Sequence, residues 1–325
     1  MTIDTNCMEI DSTRLLINIG RLPLCNLVAT NVEVILAGSR QCTITVLMWV
    51  LALFTTVMTC PAEADDLPRV TLDSAPLLGV DSFSLNTRVL AAIEKMPVGG
   101  GYAVTPSASR ALGNAIGLDK NGCLSIKATL AKPSFCSGAV YLVLLSALKP
   151  EIDEIRDPEI RRTLIRTLDA AGQPDGKGIW GRWNSNGPCM AVTFAASGLG
   201  RSFWGCKSAV PGDFLKLWWT EAIGRDESGH SVVFLGFKKT ESGDDGIEIW
   251  SSNKPGGYGK KVIPLSKIKH ALVSRCEHPN RVVGLLHLNG KDDYLAGMLK
   301  RNTTPDDVEK QIALTAPVSS SGGIR

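Results

Sequence analysis

The sequence predicts an α+β protein in which helices come first and a mostly antiparallel sheet follows. Three observations support this class. Apolar residues recur at helical spacing between residues 85 and 172, and glycine, tryptophan and β-branched residues dominate short segments from residue 173 onward. The turn-forming stretch TESGDDG at 240–246 joins two of those segments. A run of helices followed by a run of strands is typical of α+β domains.

Helical spacing predicts four helices before the sheet. They cover residues 85–96, residues 107–118, a segment from Cys136 to just before Pro150, and a charged segment ending near Gly172. We interpret PVGGGY at 97–102 as a loop, because no Lys-Ser/Thr pair follows its glycines. A short helix capped at Thr303 or Thr304 is expected near the C-terminus.

Alternating apolar residues and turn signals predict the strands. The predicted segments are 212–221, 230–239, 246–253, 260–266 and 281–288. The second and third of these form a predicted hairpin through the turn at 240–246.

Composition limits the kinds of partner. The chain has 325 residues, 44% hydrophobic and 21% charged, which suits one or two globular domains. The net charge is only +3, and no lysine- and arginine-rich run is interleaved with aromatic residues, so we expect no nucleic-acid partner. No Cys-x-x-Cys pair occurs and the four histidines are scattered, so we predict no metal and no cofactor.

An apolar segment near the N-terminus predicts export. Residues 42–60 carry no charge, Arg40 precedes them, and an A-x-A sequence follows at 62–64. These features describe a signal peptide, placed at 40–64 with cleavage after Ala64, so the mature protein is periplasmic or secreted. The alternative is that the segment stays uncleaved and anchors the chain, which is the only membrane contact we expect.

The other boundaries follow from composition. A signal peptide does not normally carry so long a leader, and a start codon assigned too far upstream would explain the first residues. We predict a leader at 1–39, an extended entry segment at 65–84, one folded domain at 85–300 and a polar, disordered tail at 301–325.

Cysteine counting singles out one thiol. Removal of residues 1–64 leaves Cys123, Cys136, Cys189, Cys206 and Cys276. In an oxidising compartment, Cys189 is expected to pair with Cys206 and Cys123 with Cys276, although spacing does not fix connectivity. An odd number leaves at least one thiol free, and in this pairing it is Cys136.

Cys136 begins an almost wholly apolar helix. Ser134 is a candidate N-cap, which would place Cys136 in the first turn, where the helix dipole lowers a thiol pKa. The alternative is that Cys136 is a small buried core residue.

A thiol nucleophile needs an imidazole and a polar group that orients it. His230 opens a predicted strand, although a lone histidine there is also typical of a surface; His270, His278 and His287 are weaker candidates. On the next strand, a period of two places Ser251 and Asn253 on one face. We rank Asn253 first as the orienting group, then Ser251, then Glu248 on the opposite face.

Three blocks in this order resemble the NlpC-type and CHAP-type cysteine peptidases and amidases. They are Cys-Ser-Gly at 136–138, Pro-Gly-Asp at 211–213 and Gly-His at 229–230. The resemblance covers about residues 85–275, although the gap between Cys136 and His230 is longer than usual. It implies a papain-like core in which the helix carrying Cys136 packs on the sheet, so that 85–300 is a cysteine hydrolase domain.

The resemblance also implies acyl transfer to Cys136, with His230 as base and then acid. With export, it points to peptidoglycan or a peptide as substrate, cleaved by an endopeptidase or an amidase. The alternative is a catalytically silent cell-wall-binding module or a secreted toxin-like effector on the same fold. The candidate substrate contacts are Trp180, Trp183, Asn184 and Tyr258. The alternative for the first three is that they form a packed structural loop.

Overall fold

The computed structural model describes residues 84–170 and 175–316, all within one compact unit of the chain. The predicted leader, the signal segment, nearly all of the entry segment and residues 317–325 lie outside the described residues. Within the described ranges, no helix is long and apolar enough to cross a membrane.

The helices enclose one side of the sheet. In chain order they are α1 (Ser84–Glu94), α2 (Pro106–Asn114), α3 (Cys136–Asp153), α4 (Pro158–Thr167), α5 (Gly178–Trp183), α6 (Cys189–Ser197), α7 (Asp293–Gly297) and α8 (Pro305–Thr315). Short 3₁₀ helices occupy Ala128–Leu130, Cys206–Ser208, Leu265–Lys267 and Pro279–Leu288.

The strands are β1 (Gly99–Gly100), β2 (Ile116–Leu118), β3 (Leu124–Ile126), β4 (Gly200–Trp204), β5 (Phe214–Trp218), β6 (Ile223–Gly224), β7 (Gly229–Lys239), β8 (Asp245–Asn253), β9 (Gly257–Pro264), β10 (His270–Cys276) and β11 (Asn302–Thr303). Seven of them form one sheet in the order β1-β9-β8-β7-β5-β10-β4, and all six neighbouring pairs in it are antiparallel. The α+β class is confirmed, and so is the hairpin of β7 and β8.

Strand β5, which lies between β7 and β10, has an apolar cluster on each face of the sheet. Phe214 packs with the helices, whereas Leu215 and Leu217 belong to a cluster on the other face of the sheet. Alternation along the strand therefore places Lys216 and Trp218 on the same face as Phe214. All five residues of β5 are buried.

Helix α3 is surrounded by other elements. Its apolar residues from Ala139 to Leu145 are at most 2% exposed, and it packs against α1, β7 and β8. The expected end before Pro150 is wrong, because α3 continues to Asp153. The proline removes one backbone donor, and the burial of Ile152 holds the last turn in place.

Several segments differ from the predicted ones. The predicted strand 281–288 lies in a 3₁₀ helix, while α5, α6 and β10 were not predicted. The C-terminal helix is confirmed as α8, with Thr304 as its N-cap. Its residue Val308 is fully buried, so the folded region extends beyond residue 300.

The expected disulfides are wrong for the described cysteines, which are all free thiols. Cys189 belongs to the helix-side cluster and Cys206 to the cluster on the other face of the sheet, so the sheet separates them. Cys276 is buried, whereas Cys123 is half-buried.

Candidate active site

Helix α3 presents Cys136 as its first residue. Phe135 precedes it in an extended conformation and makes no side-chain capping bond. Ser134, the predicted cap, instead donates its hydroxyl to Ser252 Oγ at 2.8 Å and so ties the helix start to β8. Cys136 thus lies at the positive end of the helix dipole, among backbone N–H groups without a partner inside the helix.

The imidazole of His230 lies between Cys136 and Asn253. It hydrogen-bonds the thiol, and its Nε2 is 3.1 Å from Asn253 Oδ1. The orientation of the Asn253 amide is set because its Nδ2 donates to the carbonyls of Ser251 at 3.2 Å and Gly259 at 2.8 Å. Oδ1 therefore accepts the Nε2 proton, and Nδ1 is the nitrogen left for the sulfur.

The surroundings of the Cys136 thiol favour its ionised form. Burial opposes ionisation, but the hydrogen bond and charge of His230, the backbone N–H of Ser231 and the charge of Lys216 outweigh it. Together they lower the pKa of Cys136 to about 6. Since an unperturbed cysteine has a pKa of about 8.5, this thiol is unusually ready to act as a nucleophile at neutral pH.

Tyr102 is a further neighbour of the sulfur that sequence patterns did not identify. Burial, followed by the charge of Cys136 and a hydrogen bond to it, raises the pKa of Tyr102 far above its usual value, so the phenol remains a donor. Its backbone N–H donates to Pro255 O at 3.1 Å, and that of Ala103 donates to Ser134 O at 2.9 Å. The loop that carries the phenol is therefore fixed to the start of α3.

Cys136 opens onto a cleft of about 930 Å³. Other residues that line it include Tyr102, Thr105, Arg110, Phe135, Asp169, Asn184, Asn186, Lys216, Glu227 and Ser231. Lys216 and Glu227 are not among the site residues predicted from sequence. A single lysine inside the apolar strand FLKLW was the signal for the first, because such a strand rarely buries a charge without a local reason.

Ser251 and Glu248, ranked second and third as orienting groups for the imidazole, bond to other partners. Ser251 is fully buried and donates its hydroxyl to Ser231 O at 2.7 Å, so it braces β7 rather than the imidazole. Glu248 accepts from Lys238 Nζ at 2.7 Å, away from His230. Of the three ranked residues, Asn253 is the one that contacts His230.

Two predicted substrate contacts lie in the core instead. Trp180 and Trp183 are 3% and 0% exposed and pack on Tyr141 with ring centroids 5.2 and 5.7 Å away. Trp183 Nε1 donates to Ser137 O at 3.0 Å, which steadies the first turn of α3. Both residues belong to α5 and are buried, so neither indole ring forms part of the cleft wall.

The other two predicted substrate contacts lie in different places, one in the core and one at the cleft. Tyr258 is 2% exposed, stacks on Trp250 with centroids 5.8 Å apart, and donates its hydroxyl to Ala131 O at 2.8 Å, so it is also a core residue. Asn184 does line the cleft, and its Oδ1 accepts from Ser137 Oγ at 2.5 Å. Of the four, only Asn184 reaches the cleft.

No cluster of three or more His, Cys, Asp or Glu residues suited to a metal ion occurs among the described residues. Comparisons of the chain with protein-family models, curated proteins and solved structures found no match. The chemistry of this site is therefore inferred from the contacts of its own residues.

Proposed function

We propose that this protein is an exported, papain-like cysteine hydrolase that cleaves an amide bond, with peptidoglycan stem peptides as its substrate. The observation that carries the proposal is the alignment of Cys136, His230 and Asn253 around a thiol whose pKa is lowered to about 6. An inert core cysteine would need neither an imidazole at the sulfur nor an amide fixed behind that imidazole.

The first half of the reaction forms a thioester. Cys136 gives its thiol proton to His230 Nδ1, its sulfur attacks the carbonyl carbon, and the oxygen becomes an oxyanion within reach of the Cys136 backbone N–H and the Tyr102 hydroxyl. His230 then donates its Nδ1 proton to the amide nitrogen as the C–N bond breaks. Asn253 holds the ring in place through its contact with Nε2.

The second half regenerates the enzyme. A water attacks the thioester carbon while His230 Nδ1 accepts its proton, the C–S bond breaks, and the acid product leaves. The cleft of about 930 Å³ is large enough for several residues of a branched peptide. The export signal expected at 40–64 and the resemblance to cell-wall hydrolases direct the choice of substrate.

The decisive experiment incubates the purified protein with purified muropeptides and follows the products by mass spectrometry. We expect one new amine and one new carboxyl group per cleaved bond. The masses of the two fragments show which bond was cleaved and so distinguish an endopeptidase from an amidase. Cys136→Ala should remove all activity. Cys123→Ser should retain it, because Cys123 is a half-buried thiol outside the cleft.

Cleavage that persists in Cys136→Ala would refute the mechanism. Binding of muropeptides without cleavage by the wild type would favour the silent cell-wall module over the hydrolase.

A further inference from the structure

The cleft contains a buried lysine whose charge stabilises the Cys136 thiolate, but to which the reaction above gives no contact with the substrate. Lys216 is 8% exposed and lies in β5, between the strands β7 and β10. It shares the helix-facing side of the sheet with Phe214 and Trp218, where burying a charge opposes folding unless the charge is paired. A lysine buried at this position therefore implies a function that an apolar residue could not provide.

Its ion-pair partner does not depend on it. Glu227 Oε1 is 2.7 Å from Lys216 Nζ. Glu227 Oε2 accepts from the backbone N–H of Gly187 at 2.7 Å, from Trp218 Nε1 at 2.9 Å and from the backbone N–H of Gly224 at 3.0 Å. Three donors besides the lysine thus satisfy the carboxylate and fix its position.

Lys216 has a different balance of donors and acceptors. An ammonium carries three donors, and Glu227 is its only ion-pair partner within the described ranges. Both residues line the same cleft as Cys136. Burial disfavours the charged form, but Glu227 outweighs it and raises the pKa of Lys216, so the cation persists at neutral pH. The arrangement is a fixed cation with donors to spare beside the nucleophile.

We propose that Lys216 is a specificity-determining residue that binds a carboxylate of the substrate close to the amide attacked by Cys136. This inference rests on the proposed function, because it deepens the choice of substrate at the same site. The oxyanion of the reaction already has two donors in Cys136 N–H and Tyr102. A permanent cation adds most to binding when the substrate group is itself charged before the reaction starts.

A matched pair of alkylating agents tests the proposal without any hydrolysis. Iodoacetate and iodoacetamide both form a sulfur–carbon bond at Cys136 and release iodide, and they differ in a carboxylate against a carboxamide. The rate of each is measured at the Cys136 peptide by mass spectrometry. The iodoacetate rate is divided by the iodoacetamide rate, and this ratio is compared with the same ratio for a small thiol. A higher ratio at Cys136 shows attraction of a carboxylate. Changes in the fraction of thiolate affect both rates equally and so cancel.

We expect the wild-type ratio to favour iodoacetate and to fall about tenfold in Lys216→Met. A tenfold change corresponds to the low end of the free energies that hydrogen bonds to charged groups contribute. Glu227→Gln should raise the ratio, because it removes the anion that offsets the lysine. Lys238→Met is the matched control, since this exposed lysine pairs with Glu248 outside the cleft, and its ratio should equal that of the wild type.

Equal ratios in the wild type, Lys216→Met and Glu227→Gln would overturn the proposal. If Lys216→Met does not fold, the opposite change in Glu227→Gln still decides it. Rates taken at pH 8.5, where ordinary thiols also ionise, give the ratio even if Cys136 is not activated. Failure of the hydrolase proposal would instead appear as slow reaction with iodoacetamide at pH 6–7, whatever the ratio.

Discussion

At the scale of single residues, the ionisation of Cys136 depends on competing effects. Burial raises the pKa of a thiol, and it is the leading cause at Cys189 and Cys206, where the pKa is raised to about 11. Cys136 has a lowered pKa because His230, Ser231 N–H and Lys216 all stabilise its negative form. The same residue type in one fold therefore has opposite reactivity, set by its neighbours.

The first prediction concerns the pH dependence of this thiol. Because the pKa of Cys136 is lowered to about 6, the thiolate is present above that pH and is lost as pH falls through it. Alkylation by iodoacetamide at Cys136 should therefore rise through about pH 6 and reach a plateau by about pH 7. The measurement is a rate profile between pH 5 and 9, read at the Cys136 peptide.

Variants separate the causes of this profile. His230→Ala removes the leading stabilising partner, so its midpoint should move upward by one pH unit or more. Cys123, in the same samples, provides an internal reference for a thiol outside the cleft. A wild-type profile that rises only above about pH 8, as for an unperturbed thiol, would contradict the lowered pKa.

At the scale of elements, the end of strand β8 carries two polar side chains with different tasks. Asn253 reaches His230, whereas Ser251 donates to the backbone of β7. The Asn253 amide is held between the carbonyls of Ser251 and Gly259, on β8 and β9. The β8–β9 hairpin therefore sets the orientation of the imidazole.

The second prediction compares these two side chains. Asn253→Ala should lower kcat for muropeptide cleavage by roughly 10- to 100-fold, a part of the 10²–10⁴ that general acid–base catalysis contributes. KM should change little, whereas the loss of the amide's hydrogen bonds to two backbone carbonyls should lower the free energy of unfolding by about 1 kcal/mol. Kinetics and urea unfolding of the purified variants measure both effects.

Ser251→Ala is the matched control on the same strand. Its loss leaves the buried Ser231 carbonyl without a side-chain donor, so we expect about 1 kcal/mol less stability and a kcat close to that of the wild type. A larger loss of kcat in Ser251→Ala than in Asn253→Ala would show that the roles are reversed.

At the scale of the whole molecule, local patterns predicted the parts of the fold whose environment is regular. Alternation and turn residues predicted the β7–β8 hairpin, and the order of the cysteine and histidine blocks predicted which two side chains meet. Helix α6 was missed because it is apolar on all sides, so no amphipathic period is visible. Helix α5 was missed because its two glycines disfavour a helix that packing nonetheless stabilises.

The remaining errors come from contacts distant in sequence. The apolar segment 281–288 has the composition of a strand, yet it forms a 3₁₀ helix against α6. There Gly284 approaches the chain so closely that a Cβ would lie 2.2 Å from Ser197 O. Residue type alone places Trp180 and Tyr258 at the cleft, and only the packed core determines that they are buried.

The free thiols bear on the proposal that this protein is exported, because disulfides form readily in oxidising compartments. Three of these thiols are kept from oxidation by burial. It raises the pKa of Cys189 and Cys206 to about 11 and that of Cys276 to about 12, so these thiols stay neutral and inaccessible. The third prediction is that the folded region is stabilised by its core and not by cross-links, so reductant should leave its Tm unchanged.

Peptide mapping provides the sharper measurement. Protein unfolded without reductant in the presence of an alkylating agent should carry the label on Cys189, Cys206 and Cys276, whereas folded protein should label at Cys136 first. The sheet that separates Cys189 from Cys206 makes their pairing incompatible with this fold. A cross-linked peptide containing both residues, found together with a lower Tm in reductant, would therefore contradict the arrangement of the core as well as the absence of disulfides.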